Sequence, residues 1–328
     1  MGAPDAVGAA APAPPVTERG LARWVTYQRE RFPVLGHGAL ILAFSSGAVC
    51  YSASLRASDT GEPFSVSAAS LVVAFVSCFL FFFQLRVSDE LKDLEEDRAH
   101  RPYRPVPRGL VTLGELGALA LVGMAVQLAL AFWLEPMLVL PLALVWAYMA
   151  LMTKEFWLHD WLARRPVTVL WTHMLVMPLI DLYATACDWM ATGEGHVSRA
   201  GLGWFLAASF FNGMVVEIGR KLRAPEDEER GVSTYTAIWG RDRAVLAWFG
   251  VMAVTLVCAS LAALAVDALP IVLGLVGAIG LAAVGAGARL AITPRPGMGK
   301  RLELIAGLWT IALYLGLGVV PAIVRAWS

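Results

Sequence analysis

Three aspartates recur at every fourth position in a polar segment that directly follows an apolar run of the chain. Asp89, Asp93 and Asp97 stand at i, i+4 and i+8, so on a continuing helix their carboxylates form one stripe. Like charges arranged in this way repel one another unless a cation lies among them, and carboxylate oxygens are ligands that suit Mg²⁺. The spacing therefore indicates either a Mg²⁺ site or, as is usual for a charge run, a solvated acidic face.

A proline-rich segment with three arginines follows the acidic stripe. Residues 101–109 read Arg-Pro-Tyr-Arg-Pro-Val-Pro-Arg-Gly, and each proline removes a backbone donor and restricts the residue before it. The helix is therefore expected to break here and to leave Arg101, Arg104 and Arg108 beside the acids. Arginines next to a metal-binding stripe are expected when the ligand is a phosphate or diphosphate that contacts both.

The composition places these charged segments in a membrane protein. Of the 328 residues, 58% are hydrophobic and 16% are charged, and the mean hydropathy is +0.64. A soluble domain carries roughly 25% charged residues, so much of the apolar excess must face lipid. The net charge of zero argues against a nucleic-acid partner, and the four scattered cysteines argue against a disulfide or metal framework.

Apolar runs of membrane-spanning length predict the helices that position the acidic stripe. A bilayer core takes about 20 apolar residues per helix. The N-terminal residues 1–16 are rich in Ala and Pro and predict a disordered tail. Residues 17–328 predict a single transmembrane domain. The chain predicts nine spans, at about 34–56, 65–87, 112–134, 137–153, 166–190, 200–219, 243–265, 269–291 and 303–325.

The lysines and arginines orient these spans. The N-terminal segment and the connections after spans 2, 4, 6 and 8 hold 23 of the 26 basic residues, which leaves Arg56, Arg199 and Arg325 for the opposite side. Because basic residues concentrate in cytoplasmic connections, the N-terminus is predicted to be cytoplasmic and the C-terminus outside. We expect a multi-pass protein of the cell's inner membrane.

The stripe and the proline-rich segment together resemble the first signature of the UbiA superfamily of intramembrane prenyltransferases. That signature is Asn/Asp-x-x-x-Asp-x-x-x-Asp, then Arg/Lys-Pro-x-Arg-Pro-aliphatic-Pro-x-Gly, and the chain follows it without a gap from Asp89 to Gly109. The position of the signature just after the second of nine spans is similar to the family's arrangement. The resemblance implies an all-α bundle around a lipid-accessible cavity with a polar cap.

The second family signature is expected after span 6, and here the chain departs from it. Residues 231–234, Gly-Val-Ser-Thr, and Gly240 are similar to the end of that signature, and Asp227 stands where a family aspartate usually lies. Upstream of it, Glu217 is followed by cations instead of further acids, namely Arg220, Lys221 and Arg223. Either Glu217 and Lys221 form a helix-surface ion pair, or the cations contact diphosphate oxygens directly and partly replace metal.

The resemblance implies an enzyme that transfers an isoprenyl group from an isoprenyl diphosphate to an aromatic or lipid acceptor within the membrane. It implies Mg²⁺, or Mn²⁺ in its place, as the cofactor, and membrane lipid as the surroundings of both substrates. The implied metal ligands are Asp89, Asp93, Asp97, Glu217 and Asp227. The implied diphosphate-binding residues are Arg101, Arg104, Lys154, Arg220, Lys221 and Arg223, with Lys154 alternatively an interfacial lysine.

Two other functions stay open. A terpene cyclase of the same fold would ionise the same diphosphate and trap the cation with its own double bonds, which the divergent second signature leaves room for. A transporter is the second alternative, but the acids cluster at one membrane face, whereas carriers place their sites midway.

The first prediction concerns the orientation of the chain. A reporter fused after Ser328 should read as non-cytoplasmic, because 23 of the 26 basic residues lie on the side of the N-terminus. The same reporter fused to the N-terminus provides the control and should read as cytoplasmic. A cytoplasmic signal from the C-terminal fusion would contradict the count of nine spans.

Overall fold

The computed structural model describes residues 18–193, 199–229 and 232–327, and within these ranges it contains helices and loops and no β-strand. The predicted tail over residues 1–16 lies outside the described residues. The long helices are α2 (Val34–Thr60), α3 (Ala68–Lys92), α5 (Leu113–Leu134), α6 (Val139–Thr153), α10 (Arg199–Arg220), α12 (Arg241–Leu264), α13 (Leu269–Ile292) and α14 (Met298–Tyr314). The shorter ones are α1 (Ala22–Arg31), α4 (Leu94–His100), α7 (His159–Ala163), α8 (Pro166–Met174), α9 (Val176–Trp189), α11 (Tyr235–Trp239) and α15 (Val320–Trp327).

The predicted number of membrane spans is confirmed for the described part of the chain. Nine helical stretches there are long and apolar enough to cross a membrane. The fifth runs over Pro166–Trp189, where α8 and α9 join at Leu175, and the ninth runs over Met298–Trp327, where a π-helical turn, Leu315–Val319, joins α14 to α15. The all-α, nine-span fold predicted from the sequence is therefore present.

Local sequence signals set the ends of these helices. Ser67 precedes α3 and accepts a hydrogen bond from the Ala69 N–H. Thr112 precedes α5 and forms a reciprocal capping box with Glu115, so the helix starts directly after the proline-rich segment. Gly61 ends α2 in the left-handed conformation that glycine adopts most easily. The apolar runs thus become helices with defined starts and stops.

The centre of the bundle is built from closely packed helices whose polar groups contact one another. The Tyr51 hydroxyl donates to the backbone oxygens of Gly201 and Ala262 at 3.0 Å each. The Tyr314 hydroxyl donates to Asp181 at 2.6 Å, and both side chains are fully buried. Because the membrane interior offers no water, such interhelical hydrogen bonds satisfy groups that lipid would leave unpaired.

One end of the bundle, which we call the site end, carries the connections in which the charged signatures lie. It is formed by the C-terminal ends of α3 and α10 and the N-terminal ends of α12 and α14. Hydrogen bonds connect these helix ends. The Gly297 N–H before α14 donates to the side-chain carboxylate of Asp227, which follows α10. Tyr103, in the connection after α4, donates to Glu229 at 3.4 Å. Connections that are more than a hundred residues apart in sequence therefore lie together.

The second prediction follows from a close approach of two helices at Gly318 and Gly47. A Cβ added at Gly318 would lie 2.0 Å from the Gly47 backbone oxygen, whereas one added at Gly316 would lie 3.5 Å from its nearest neighbour. We expect Gly318→Ala to destabilise the protein by about 1–3 kcal/mol or more through overpacking. Gly316→Ala, in the same helical turn, is the matched control. Thermal unfolding of both variants in detergent tests this, and equal melting temperatures would contradict it.

Candidate active site

A pocket of about 220 Å³ at the site end collects basic side chains from two separate connections. Arg101 and Arg104 come from the segment after α4, and Arg220, Lys221 and Arg223 come from the end of α10 and the residues that follow it. Asp227, Glu229 and Glu303 also line the pocket. The two charged signatures, separated by more than a hundred residues in sequence, therefore contribute to one site.

The first signature keeps its four-residue spacing although the helix bends within it. α3 ends at Lys92 and α4 begins at Leu94, so Asp93 lies at the junction. The Asp93 N–H still donates to the Asp89 carbonyl at 2.9 Å, and the Asp97 N–H donates to the Asp93 carbonyl at 2.8 Å. The helical hydrogen-bond pattern thus continues through the bend, and the three aspartates follow one another at one-turn intervals.

Asp97 holds the two arginines of the first signature. Its side chain is 1% exposed, and its carboxylate contacts Arg101 Nε at 3.0 Å and Arg104 Nη1 at 2.7 and 2.9 Å. Arg101 also donates to Glu96 at 2.7 Å. The prolines between them keep the segment from continuing as a helix, so both guanidinium groups turn back to Asp97 while they line the pocket. In this geometry Asp97 positions cations.

Glu217 has the same role in the second signature. Its two carboxylate oxygens contact Arg220 Nε at 2.5 Å and Lys221 Nζ at 2.9 Å, and its side chain is 12% exposed. The ion pair that the i, i+4 spacing allowed is therefore formed, although the carboxylate is shielded from solvent instead of lying on an open surface. Both oxygens of Glu217 thus hold cations, Arg220 and Lys221, and its predicted role as a metal ligand stays a prediction.

Side chains within the connection after α10 fix its path around the pocket. Glu228 accepts hydrogen bonds from the hydroxyls of Thr234 and Thr236 at 2.6–2.8 Å, and Thr234 caps α11. Both carboxylate oxygens of Asp227 accept from the Gly297 N–H, at 2.8 and 3.1 Å. Arg230 and Gly231, which belong to the same signature, lie outside the described residues. Asp227 reaches the pocket, and its role as a metal ligand stays a prediction.

The sequence matches the model of the UbiA prenyltransferase family over residues 48–311, which is most of the chain. The chain belongs to the UbiA prenyltransferase family. A comparison with curated proteins gives no significant match.

Solved structures of UbiA proteins share the fold of this UbiA-family chain. A UbiA homologue from Aeropyrum pernix K1 is 16% identical, with 87% of this chain and 97% of that one covered and a TM-score of 0.63. A UbiA homologue from Archaeoglobus fulgidus bound to DMAPP and Mg²⁺ is 16% identical, with coverages of 89% and 98% and a TM-score of 0.56. A digeranylgeranylglyceryl phosphate synthase is 15% identical, with coverages of 90% and 99% and a TM-score of 0.54. At these identities the likeness shows the fold.

Asp89 and Asp93 are the acids of this UbiA-family chain that fit a metal ion. Asp89 has distant cation neighbours, Arg86 at 3.5 Å and Lys92 at 3.9 Å, and Asp93 forms no ion pair within the described part of the chain. Burial, followed by the charge of Asp89, raises the pKa of Asp93, which is what an uncompensated carboxylate in an acidic stripe shows. A bound cation would relieve this repulsion.

No group of three or more His, Cys, Asp or Glu side chains is placed to hold a metal among the described residues. This agrees with Mg²⁺ chemistry, because Mg²⁺ is usually bound by one or two carboxylates together with waters and substrate phosphates. Carboxylate oxygens of Asp89 and Asp93 are suitable donors for such a site. Asp97 and Glu217 contact cations in this structure, and the roles of Asp89, Asp93, Asp97, Glu217 and Asp227 as metal ligands stay predictions.

Lys154 is not among the residues that line the pocket with the other predicted cations. It follows the last residue of α6, and its predicted contact with diphosphate stays a prediction. Conversely, Glu229 and Glu303 line the pocket although the sequence did not single them out. Glu229 stood within a run of acids whose members look alike in sequence. Glu303 lies in the first turns of α14, where a single acid before an apolar run gives no signal of its own.

The third prediction separates the acids that pair with cations from those that do not. Asp97→Asn should lower the stability of the metal-free protein by about 2–4 kcal/mol, because Arg101 and Arg104 lose a buried carboxylate. Asp93→Asn should leave it unchanged or raise it. The raised pKa of Asp93 means that its ionised form costs stability at pH values above its ordinary range, so at pH 7 the neutral amide removes a cost.

Thermal unfolding in EDTA at pH 7 measures both effects. The two variants are matched controls for each other, since each replaces one carboxylate of the same signature by an amide. A larger loss in Asp93→Asn than in Asp97→Asn would contradict the division of roles.

Proposed function

We propose that this protein transfers an isoprenyl group from an isoprenyl diphosphate to a hydrophobic aromatic or lipid acceptor in the membrane, with Mg²⁺ as cofactor. The observation that carries this proposal is the pocket that Arg101, Arg104, Arg220, Lys221 and Arg223 line, with Arg101 and Arg104 in contact with Asp97 of the acidic stripe. Five cations around a small cavity at the end of an apolar bundle suit a ligand with a highly charged head and an apolar tail. Isoprenyl diphosphates have this form.

The chemistry of the cations suits a diphosphate in particular. Guanidinium groups present a rigid fork of N–H donors that binds phosphate oxygens in pairs. In this pocket the guanidinium groups are held before any ligand arrives, because Asp97 fixes Arg101 and Arg104 and Glu217 fixes Arg220. The homologues from Archaeoglobus fulgidus solved with DMAPP or GPP and Mg²⁺ support the same class of ligand for this fold.

Asp89 and Asp93 would hold Mg²⁺. When bound, Mg²⁺ supplies positive charge beside the diphosphate, which favours its departure. The carboxylates keep the metal near the cations of both signatures. In this proposal they act as ligands and not as acids or bases.

The residues of the chain stabilise the charge that develops on the leaving group. The allylic C–O bond breaks, and the diphosphate departs with the electron pair. N–H groups of Arg101, Arg104, Arg220 and Lys221 surround that charge without reorganising, which is the main way in which enzymes favour such a step. The carbon cation then forms a bond with a nucleophilic carbon or oxygen of the acceptor, and the proton that the acceptor loses passes to the departed diphosphate. The surrounding apolar helices limit access of water.

The fourth prediction tests the reaction and its metal. Protein in lipid vesicles, given isoprenyl diphosphates of several lengths and a membrane lipid extract, should release pyrophosphate in the presence of Mg²⁺ and form a prenylated product. EDTA or Asp93→Ala should abolish turnover, because the proposed Mg²⁺ ligands are Asp89 and Asp93. Asp242→Ala, an exposed acid at the start of α12, is the control and should leave turnover intact.

Each other outcome has a distinct meaning. Full turnover in EDTA would overturn the role of the metal. Release of pyrophosphate without any requirement for an acceptor would indicate a cyclase. An absence of pyrophosphate release together with movement of a solute across the vesicle membrane would indicate a transporter.

The fifth prediction separates the cations of the second signature from its remaining acid. Lys221→Ala should weaken the affinity for isoprenyl diphosphate more than the affinity for Mg²⁺, because a lysine neutralises phosphate oxygens and cannot bind the metal. Asp227→Ala should instead raise the Mg²⁺ concentration needed for half-maximal activity. Lys300→Ala, at the same end of the bundle but outside the pocket, is the control.

The measurement is the affinity for isoprenyl diphosphate at a series of Mg²⁺ concentrations. Wild-type behaviour of Lys221→Ala and of the corresponding Arg220 and Arg223 variants would restrict the proposed site to the first signature and Asp227.

A further inference from the structure

A second charged groove lies between α13 and α14 at the site end and shares no lining residue with the diphosphate pocket. It has a volume of about 330 Å³, and its floor is apolar, with Gly285 and Ala286 from α13 and Leu302 and Ile305 from α14. Ala282, Met298 and the two arginines Arg289 and Arg301 complete its lining. The groove therefore combines an apolar floor with two guanidinium groups.

These two arginines have no carboxylate to neutralise them. Arg289 lies in the last turn of α13 and Arg301 in the first turn of α14, and both side chains are exposed. Within the described residues neither side chain forms an ion pair or a hydrogen bond. This differs from the arginines of the diphosphate pocket, such as Arg104, which contact carboxylates of the chain. Two arginines without a carboxylate partner at the end of membrane-spanning helices are therefore available to an anion from elsewhere.

We propose that this groove binds an anionic phospholipid, with its phosphate between Arg289 and Arg301 and an acyl chain on the apolar floor. Arginine pairs bind phosphate oxygens through parallel N–H groups, and basic pockets between membrane helices are suited to lipid head groups. The position of the groove agrees with this occupant, because its arginines lie at the helix ends while its floor lies within the spans. A water-soluble phosphate would leave that floor uncovered.

The floor has room for a chain at a defined point. A Cβ added at Gly285 would meet no atom within 4 Å, so the space above this glycine is open. The larger apolar groove between α12 and α13, about 650 Å³, is lined by residues such as Phe249, Leu273 and Trp309 and by no charged side chain. It offers nothing that would select a head group. The pairing of apolar floor and arginines thus distinguishes the α13–α14 groove.

The opposite side of α14 faces the diphosphate pocket through Glu303. Gly297, just before α14, donates its N–H to Asp227. The proposed lipid would therefore lie against the helix that borders the candidate active site, yet without entering it. The lipid is distinct from the isoprenyl donor and from the acceptor, and its binding does not depend on the proposed transferase function.

The experiment measures lipid binding by the intact, full-length protein. Detergent-purified protein is titrated with phosphatidylglycerol or with phosphatidylcholine, and bound lipid is counted by native mass spectrometry. The charge variant is Arg289→Gln with Arg301→Gln, and its matched control is Arg243→Gln with Arg295→Gln, which removes two exposed arginines of the same end that lie outside the groove. The space variant is Gly285→Leu, and its control is Gly250→Leu, a helical glycine that also has no atom within 4 Å of an added Cβ.

We expect the Arg289/Arg301 variant to bind phosphatidylglycerol on the order of tenfold to thirtyfold more weakly than the wild type, with phosphatidylcholine binding unchanged. Gly285→Leu should weaken phosphatidylglycerol binding, and both controls should bind like the wild type. Equal weakening in the Arg243/Arg295 control would show a general charge effect and overturn the proposal. If Gly285→Leu binds phosphatidylglycerol like the wild type, the proposed position of the acyl chain on the apolar floor is wrong. Melting temperatures of all variants identify any that are unfolded.

Discussion

Two shielded carboxylates at the membrane edge, Asp97 and Glu217, hold most of the cations on which the candidate site depends. Cations brought together at the end of an apolar bundle repel one another, and water cannot surround them fully. Each carboxylate contacts two of these cations, Arg101 and Arg104 in one case and Arg220 and Lys221 in the other. The cations are thereby fixed near one another while they remain available to a more highly charged ligand. The path of both connections follows from these contacts.

Carboxylates of the same signature consequently have different tasks. Asp97 is surrounded by guanidinium groups, whereas Asp93 at the bend between α3 and α4 has no cation partner among the described residues. Its raised pKa reflects that difference, since burial and the neighbouring Asp89 both disfavour its charge. A signature that looks uniform in sequence thus divides into acids that position cations and acids that suit a metal. In the second signature cations stand in place of acids, and its carboxylate Glu217 likewise positions cations.

The sequence alone determined the membrane architecture of this protein. The apolar runs gave nine spans because a bilayer core requires about 20 apolar residues from each helix, whatever its neighbours are. The spacing of Asp89, Asp93 and Asp97, the prolines after them and the closing residues of the second signature identified the two segments that meet at the site. These are local properties, and the hydrogen bonds of a membrane helix are also local, so no tertiary contact was needed to recognise them.

Only the tertiary structure decided which carboxylate contacts which cation and which charged residues line the pocket. The spacing of Glu217 fitted a ligand and an ion-pair partner equally well, and the surroundings of α10 place its two oxygens against Arg220 and Lys221. Lys154 does not line the pocket, and Glu303 lines it from α14, although neither outcome is encoded near the residue in sequence. The physical reason is that charge compensation acts over a few ångströms in space, whatever the separation along the chain. Which cation meets which carboxylate is therefore fixed only when the helices have packed.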